Sequence, residues 1–174
     1  MRKAPEVDAL VEKLSRLGLI RMAENREPKS QAASRLRSLL ALCNAGVLEG
    51  GLSVALDVRP DELIGPLAIA IGNAGLELKV IDTRDEPRPE ITVRLRSLER
   101  KWTVASLDAL VTHLNELFHA DPAAKAIAIL GEYEDALQLW AVDKALLGEL
   151  LGEDFFRPRN RKQLTKLAHT HTSC

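Results

Sequence analysis

The hydrophobic period of this chain first changes at "EGG" (residues 49–51), and that change decides most of what it can fold into. Before it, apolar residues recur at helical spacing. In "PEVDALVEKLSRLG", Val7, Leu10, Val11, Leu14 and Leu17 fall on one helix face, and Gly18 is placed to end it. The polar stretch "AENREPKS" follows. The period restarts in "SQAASRLRSLLALCNAG", with a stripe of Ala32, Leu36, Leu39, Leu40, Cys43 and Val47, Ser30 as N-cap and Gly46 as the stop. Two helices cannot bury such stripes alone, so the pair needs a further surface.

After "EGG" the period drops to two. "LSVALDV" alternates Leu52, Val54, Leu56 and Val58, the pattern of a strand. "RPDELIGPLAIAIGNAG" opens a helix with Pro60 at its first position and Asp61 and Glu62 in the first turn. Pro66 argues against a helix interior; the competing reading makes "LAIAI" a strand turned by "GNAG" into the strand "LELKVID". The helix is the reading adopted. "TRDEPRPE" is a linker. "ITVRLRSL" sets Ile91, Val93 and Leu95 against Thr92, Arg94 and Arg96, which gives a sheet face that is basic and wet. "KWTVA" is a short strand. Ser106 and Asp108 open the helix "SLDALVTHLNELF", "AKAIAILGEY" and "ALQLWAV" are strands around a charged turn, and "DKALLGELL" is a last helix.

The order β-α-β-β thus occurs twice, from Leu52 to Leu98 and from Lys101 to Val142. The expected fold class is α+β: a mainly antiparallel sheet from two β-α-β-β-like units with helices on one face, preceded by an N-terminal helical hairpin. The parts read as a helical extension at 1–48, an α+β domain at 49–156 and a basic C-terminal tail at 157–174.

Composition narrows the class. Of 174 residues, 46% are hydrophobic and 28% charged, which fits neither a disordered nor a membrane chain. No apolar run approaches the roughly 20 residues of a membrane helix. Met1 to Asp8 carry charge without an apolar core, so no signal peptide is read there and a cytoplasmic location is expected by elimination. Two cysteines make no disulfide framework, and Cys43 reads as a small buried apolar residue. The net charge of −1 conceals a division. Residues 1–40 hold nine Lys/Arg against five Asp/Glu, residues 41–156 ten against twenty, and residues 157–174 five against none. Basic ends of +4 and +5 flank a body of −10. Such ends either dock on an acidic surface or meet nucleic acid.

Each candidate site in the sequence has a plainer role beside it. Glu132, Glu134 and Asp135 in "GEYED" have the makings of an acid–base pair, but their place is a solvated turn. His113 and His119 are six residues apart and off a common helix face, and Ser106, His113 and Asp121 form a triad on paper without a nucleophile-elbow pattern. "GNAG" lacks the rest of a dinucleotide or phosphate fingerprint. His169, His171 and Cys174 resemble metal ligands, but a structural site wants a fourth ligand and a fold to hold it. No metal site and no cofactor is therefore expected. Trp102 and Trp140 are placed to meet in one sheet as core or edge residues. The basic residues Arg157, Arg159, Arg161, Lys162 and Lys166 suit phosphates or carboxylates, and Gln31, Arg35 and Ser38 share a face of the second helix that suits a partner or a groove. With 3% aromatics, stacking platforms for nucleic acid are scarce. The function read from the sequence is a non-enzymatic protein-interaction or regulatory module that self-associates. The alternative is a nucleic-acid-binding accessory protein using its basic termini.

Overall fold

The computed structural model describes residues 5–21, 35–72, 78–84 and 90–171, with side chains over 9–21, 37–72 and 90–169. Helices α1 (Pro5–Arg16) and α2 (Arg35–Asn44) end in the same way. Gly18 and Gly46 take φ of 70° and 72°. Gly18 N–H donates to Ser15 O (3.0 Å) and Leu19 N–H to Leu14 O (2.9 Å), while Gly46 N–H donates to Cys43 O (3.0 Å) and Val47 N–H to Leu42 O (3.1 Å). This is the Schellman closure, including its apolar contact, since Leu14, Leu19, Leu42 and Val47 are all buried. The two segments that follow these helices run antiparallel through an Ile20–Leu48 bridge. Ser30 lies outside the described residues.

The remaining order is β1 (Gly51–Ala55), α3 (Pro60–Ala70), β2 (Leu78–Arg84), β3 (Glu90–Leu95), β4 (Leu98–Thr103), α4 (Leu107–Leu117), β5 (Ala126–Tyr133) and β6 (Ala136–Val142). A 3-10 turn at Lys144–Leu146, a short α5 (Leu147–Leu150) and α6 (Pro158–His171) complete it. The fold is α+β with antiparallel pairing. Among the described residues it has two three-stranded sheets, ordered β1-β6-β5 and β2-β3-β4. Each sheet takes its hairpin from one β-α-β-β unit and its third strand from the other.

The packing is also two-sided where one side was expected. Ala126, Ala128, Leu130, Trp140 and Val142 face a core shared with α1, α2, α5 and α6, whereas Ile127, Ile129, Leu139 and Ala141 face one shared with α3 and α4. The cause is the sequence of β5, "AIAIL", which is apolar at every position and so buries both faces. Leu63, Ile64 and Leu67 of α3 and Leu110, Val111 and Leu114 of α4 also share their core with Ile91, Val93 and Trp102. These two helices therefore share one core with both sheets. Trp140 and Trp102 do not meet in one sheet as expected. The first is on β6 and the second on β4, because β4 pairs with β3 and not with the β5–β6 hairpin.

Local chemistry sets the connections. β3 stops at Leu95, short of the strand read to Leu98, because Leu95 pairs with Leu98 across a two-residue turn with Arg96 at φ 55°. Glu134 and Asp135, at φ 48° and 62°, make the two-residue turn of the β5–β6 hairpin. Gly50 has φ 78°, and a Cβ there would lie 2.2 Å from Ala141 O, so the chain needs glycine where it enters β1. α3 accommodates Pro66 on its exposed side while Leu63, Ile64 and Leu67 are buried. Lys144 reaches the C-terminal end of α4 and donates from Nζ to the carbonyls of Phe118 (2.6 Å), Asp121 (2.7 Å) and His119 (3.3 Å). Burial lowers the pKa of that ammonium and Asp121 opposes the shift. Among the described residues, no helix is long and apolar enough to cross a membrane.

Candidate functional site: the groove beside β4

Sheet edges differ sharply in this fold. β5 is an outer strand of its sheet, yet side chains bond to its edge. Asn115 of α4 accepts from Ile127 N–H (2.8 Å) and donates back to Ile127 O (3.0 Å), as a neighbouring strand would. Asn160 of α6 accepts from Ile129 N–H at 2.7 Å. Gln163 holds Asn115 in place, accepting from its Nδ2 (3.1 Å) and donating to Thr112 O (3.2 Å). Two helices thus satisfy the edge of β5 at Ile127 and at the Ile129 N–H.

β4 is different. It is an outer strand of the other sheet, and Leu98, Glu99, Arg100, Lys101 and Thr103 are exposed along it. Leu95 and Leu98 flank a two-residue turn, which makes them a hydrogen-bonded pair; alternation then turns the N–H and C=O of Glu99, Lys101 and Thr103 away from β3. The Arg100 guanidinium bends round to one of these outward carbonyls, donating to Glu99 O at 3.2 Å. Beside the edge lies a groove of about 300 Å³ lined by Leu98, Arg100 and Trp102 of β4 and His113, Glu116 and Leu117 of α4. The spacing explains the lining. Residues 98, 100 and 102 share one strand face, and 113, 116 and 117 share one helix face. Trp102 forms the floor, 6% exposed, with the His113 ring stacked on it at 5.2 Å between centroids and 6° between planes.

Comparison with protein-family models, with curated proteins and with solved structures finds no match for this chain. The site is therefore read from its chemistry alone. An open strand edge beside an aromatic-floored groove offers main-chain hydrogen bonds on one side and a side-chain pocket on the other.

The residues singled out from sequence fall elsewhere. Arg161 donates to Leu151 O (2.6 Å) and lies 3.6 Å from Asp154. Arg159, Lys162 and Lys166 are exposed on one face of α6, and Arg157 is half-buried before it. The stretch read as a basic tail forms a docked helix over Pro158–His171, because Leu164 and Leu167, three residues apart, belong to the core. Gln31 and the side chain of Arg35 lie outside the described residues, and Ser38 is buried at 2% exposure, so it presents nothing to a groove. Two further ion pairs link the basic N-terminal part to the body: Lys13 with Glu153 (3.1 Å), and Arg21 with Glu49, whose carboxyl pKa is lowered by that contact.

The paper triad is dispersed into separate tasks. Ser106 caps α4 by accepting from Ala109 N–H (3.2 Å), Asp121 accepts from Ala123 N–H (2.9 Å), and His113 stacks on Trp102. Glu132, Glu134 and Asp135 are exposed at the hairpin tip, where Asn44 donates to Glu134 (3.1 Å). His169 lies on α6, while the side chain of His171 and the whole of Cys174 lie outside the described residues.

Proposed function

We propose that this chain is a protein-interaction module that binds an extended segment of another protein as a fourth strand on β4. One observation carries the reading: an exposed outer strand borders a groove floored by Trp102, while β5, an outer strand of the other sheet, is bonded along its edge by Asn115 and Asn160. Strand addition draws affinity from main-chain bonds and specificity from pockets for alternate side chains. Both are supplied here by one strand and one helix.

A second copy is a poorer occupant than a different protein. The antiparallel two-fold registers that pair five of the six β4 residues set Lys101 against Lys101, or set Arg100 against Arg100 with Lys101 on either side opposite a Glu99 that Arg94 already engages. Like charges directly opposite destabilise a pair, and such charges are a common guard on edges.

The test is a display library of unstructured peptides, selected on the wild-type chain and re-measured on Lys101→Pro. That substitution removes an outward N–H and leaves the β3 ladder intact. Enriched peptides should lose most of their affinity while the unfolding midpoint stays put. Unchanged binding, or no enrichment at all, rules the reading out. The exposed row Arg159, Lys162 and Lys166 favours nucleic acid as the second reading. It requires binding of mixed-sequence RNA or DNA that weakens steeply between about 50 and 200 mM salt.

A further inference from the structure

We infer that the segment taken up by β4 is acidic, with two neighbouring carboxylates between two apolar residues. The inference rests on the strand-addition reading and gives its partner a chemistry. Charge along the edge is one-sided. Glu99 is engaged by Arg94 at 2.9 Å, which leaves Arg96, Arg100 and Lys101 exposed around the strand and Glu116 as the acid across the groove.

Alternation divides the two central cations. Arg100 shares the groove face with Leu98 and Trp102, whereas Lys101 shares the wet face with Glu99 and Thr103. A fourth strand also alternates, so the residue opposite Arg100 points into the groove and its neighbour opposite Lys101 points to water. Both positions favour a carboxylate. The residues opposite Trp102 and Leu98 then point into the groove on either side of the first carboxylate, over apolar surface. In the antiparallel sense the pattern from N- to C-terminus is apolar, acid, acid, threonine, apolar, with the threonine opposite Glu99. The Arg100 guanidinium, which otherwise rests on Glu99 O, is the group that turns to meet the ligand.

The experiment uses two labelled peptides that share the flanks and the apolar positions, one with a Val-Glu-Glu-Thr-Val centre and one with Val-Lys-Lys-Thr-Val. Fluorescence anisotropy with the full chain, at about 50 mM salt, should show the acidic peptide binding about fivefold tighter, the effect of two cross-strand charge pairs. The double substitution Arg100→Glu with Lys101→Glu should invert the order. Both side chains are exposed, and a thermal melt confirms that the variant is folded. Equal binding of the two peptides, or an order unchanged in the double variant, overturns the acidic preference and leaves strand addition standing. If neither peptide binds, both ideas fall together.

Discussion

Asn115→Ala tests whether α4 closes the edge of β5. Asn115 is 2% exposed and makes a two-way bond with the main chain of Ile127, which is itself fully buried. Alanine leaves the Ile127 N–H and C=O without partners where water does not reach. Each orphaned buried group costs about 1–3 kcal/mol, so the variant should lose about 3 kcal/mol in all. For a chain of this size that corresponds to roughly 6–12 °C in midpoint. Gln163 is half-buried and recovers its lost bond from solvent, so it adds little. Urea unfolding measures the total, and amide exchange by NMR locates it. Ile127 N–H should lose protection beyond the global change, while Ile129 N–H, held by Asn160 at 2.7 Å, should follow the global change only. A loss below about 1 kcal/mol, or equal local changes at both amides, would falsify the clasp.

Two other perturbations probe the packing around β1. Gly50→Ala places a Cβ 2.2 Å from a backbone oxygen and should cost about 3 kcal/mol or more, whereas Gly18→Ala, with open space around its Cβ and a similar φ, should cost only about 1 kcal/mol; equal losses in urea unfolding would remove the steric argument. The Cys43 thiol is buried at 2% exposure, donates weakly to Leu139 O (3.4 Å), and has its pKa pushed from 9.0 up to about 11, chiefly by burial. A raised acid pKa stabilises the folded chain below the unfolded value, so the stability gap between wild type and Cys43→Ala should narrow as pH rises from 9 to 11. Peptide mapping after iodoacetamide at pH 8 should find Cys43 unmodified unless the chain is unfolded first, and rapid native-state alkylation would refute its burial.

The elements were legible because local chemistry specifies them. Gly18 and Gly46 stop their helices, Ser106 caps α4, and the strands follow their alternation. Which strand joins which hairpin was not legible. β1 and β4 present the same short amphipathic pattern whichever hairpin they pair with, so the exchange between the two sheets leaves no local mark. α6 was hidden by its charge: five cations between 157 and 166 outweigh the two leucines that seat it. Asn115 and Asn160 sit beside charged or polar neighbours and read as surface residues, yet they are buried because a strand edge needs partners. The groove was readable only in pieces. Leu98, Arg100 and Trp102 alternate in the sequence, but their meeting with His113, Glu116 and Leu117 depends on β4 being an outer strand.

That outer position follows from how the two halves interlock. Both run β-α-β-β, both hairpins carry a register shift in their first strand, at Val80/Asp82 and at Ile129/Gly131, and each lends its single strand to the other's sheet. Such an exchange leaves four outer strands and must deal with their edges. For β5 the solution comes partly from outside the repeated order, because α6 supplies Asn160 and Gln163 while α4 supplies Asn115. α4 has a second side, and there it does not bond to the neighbouring edge but stands off from β4 across the groove. One helix therefore seals one sheet and lines an opening on the other. The charges of Glu99, Arg100 and Lys101 complete the logic, since they keep β4 soluble as an open strand and disfavour its pairing with a copy of itself. An edge that is open, guarded against self-pairing and backed by an aromatic floor is suited to a partner that brings the opposite charge.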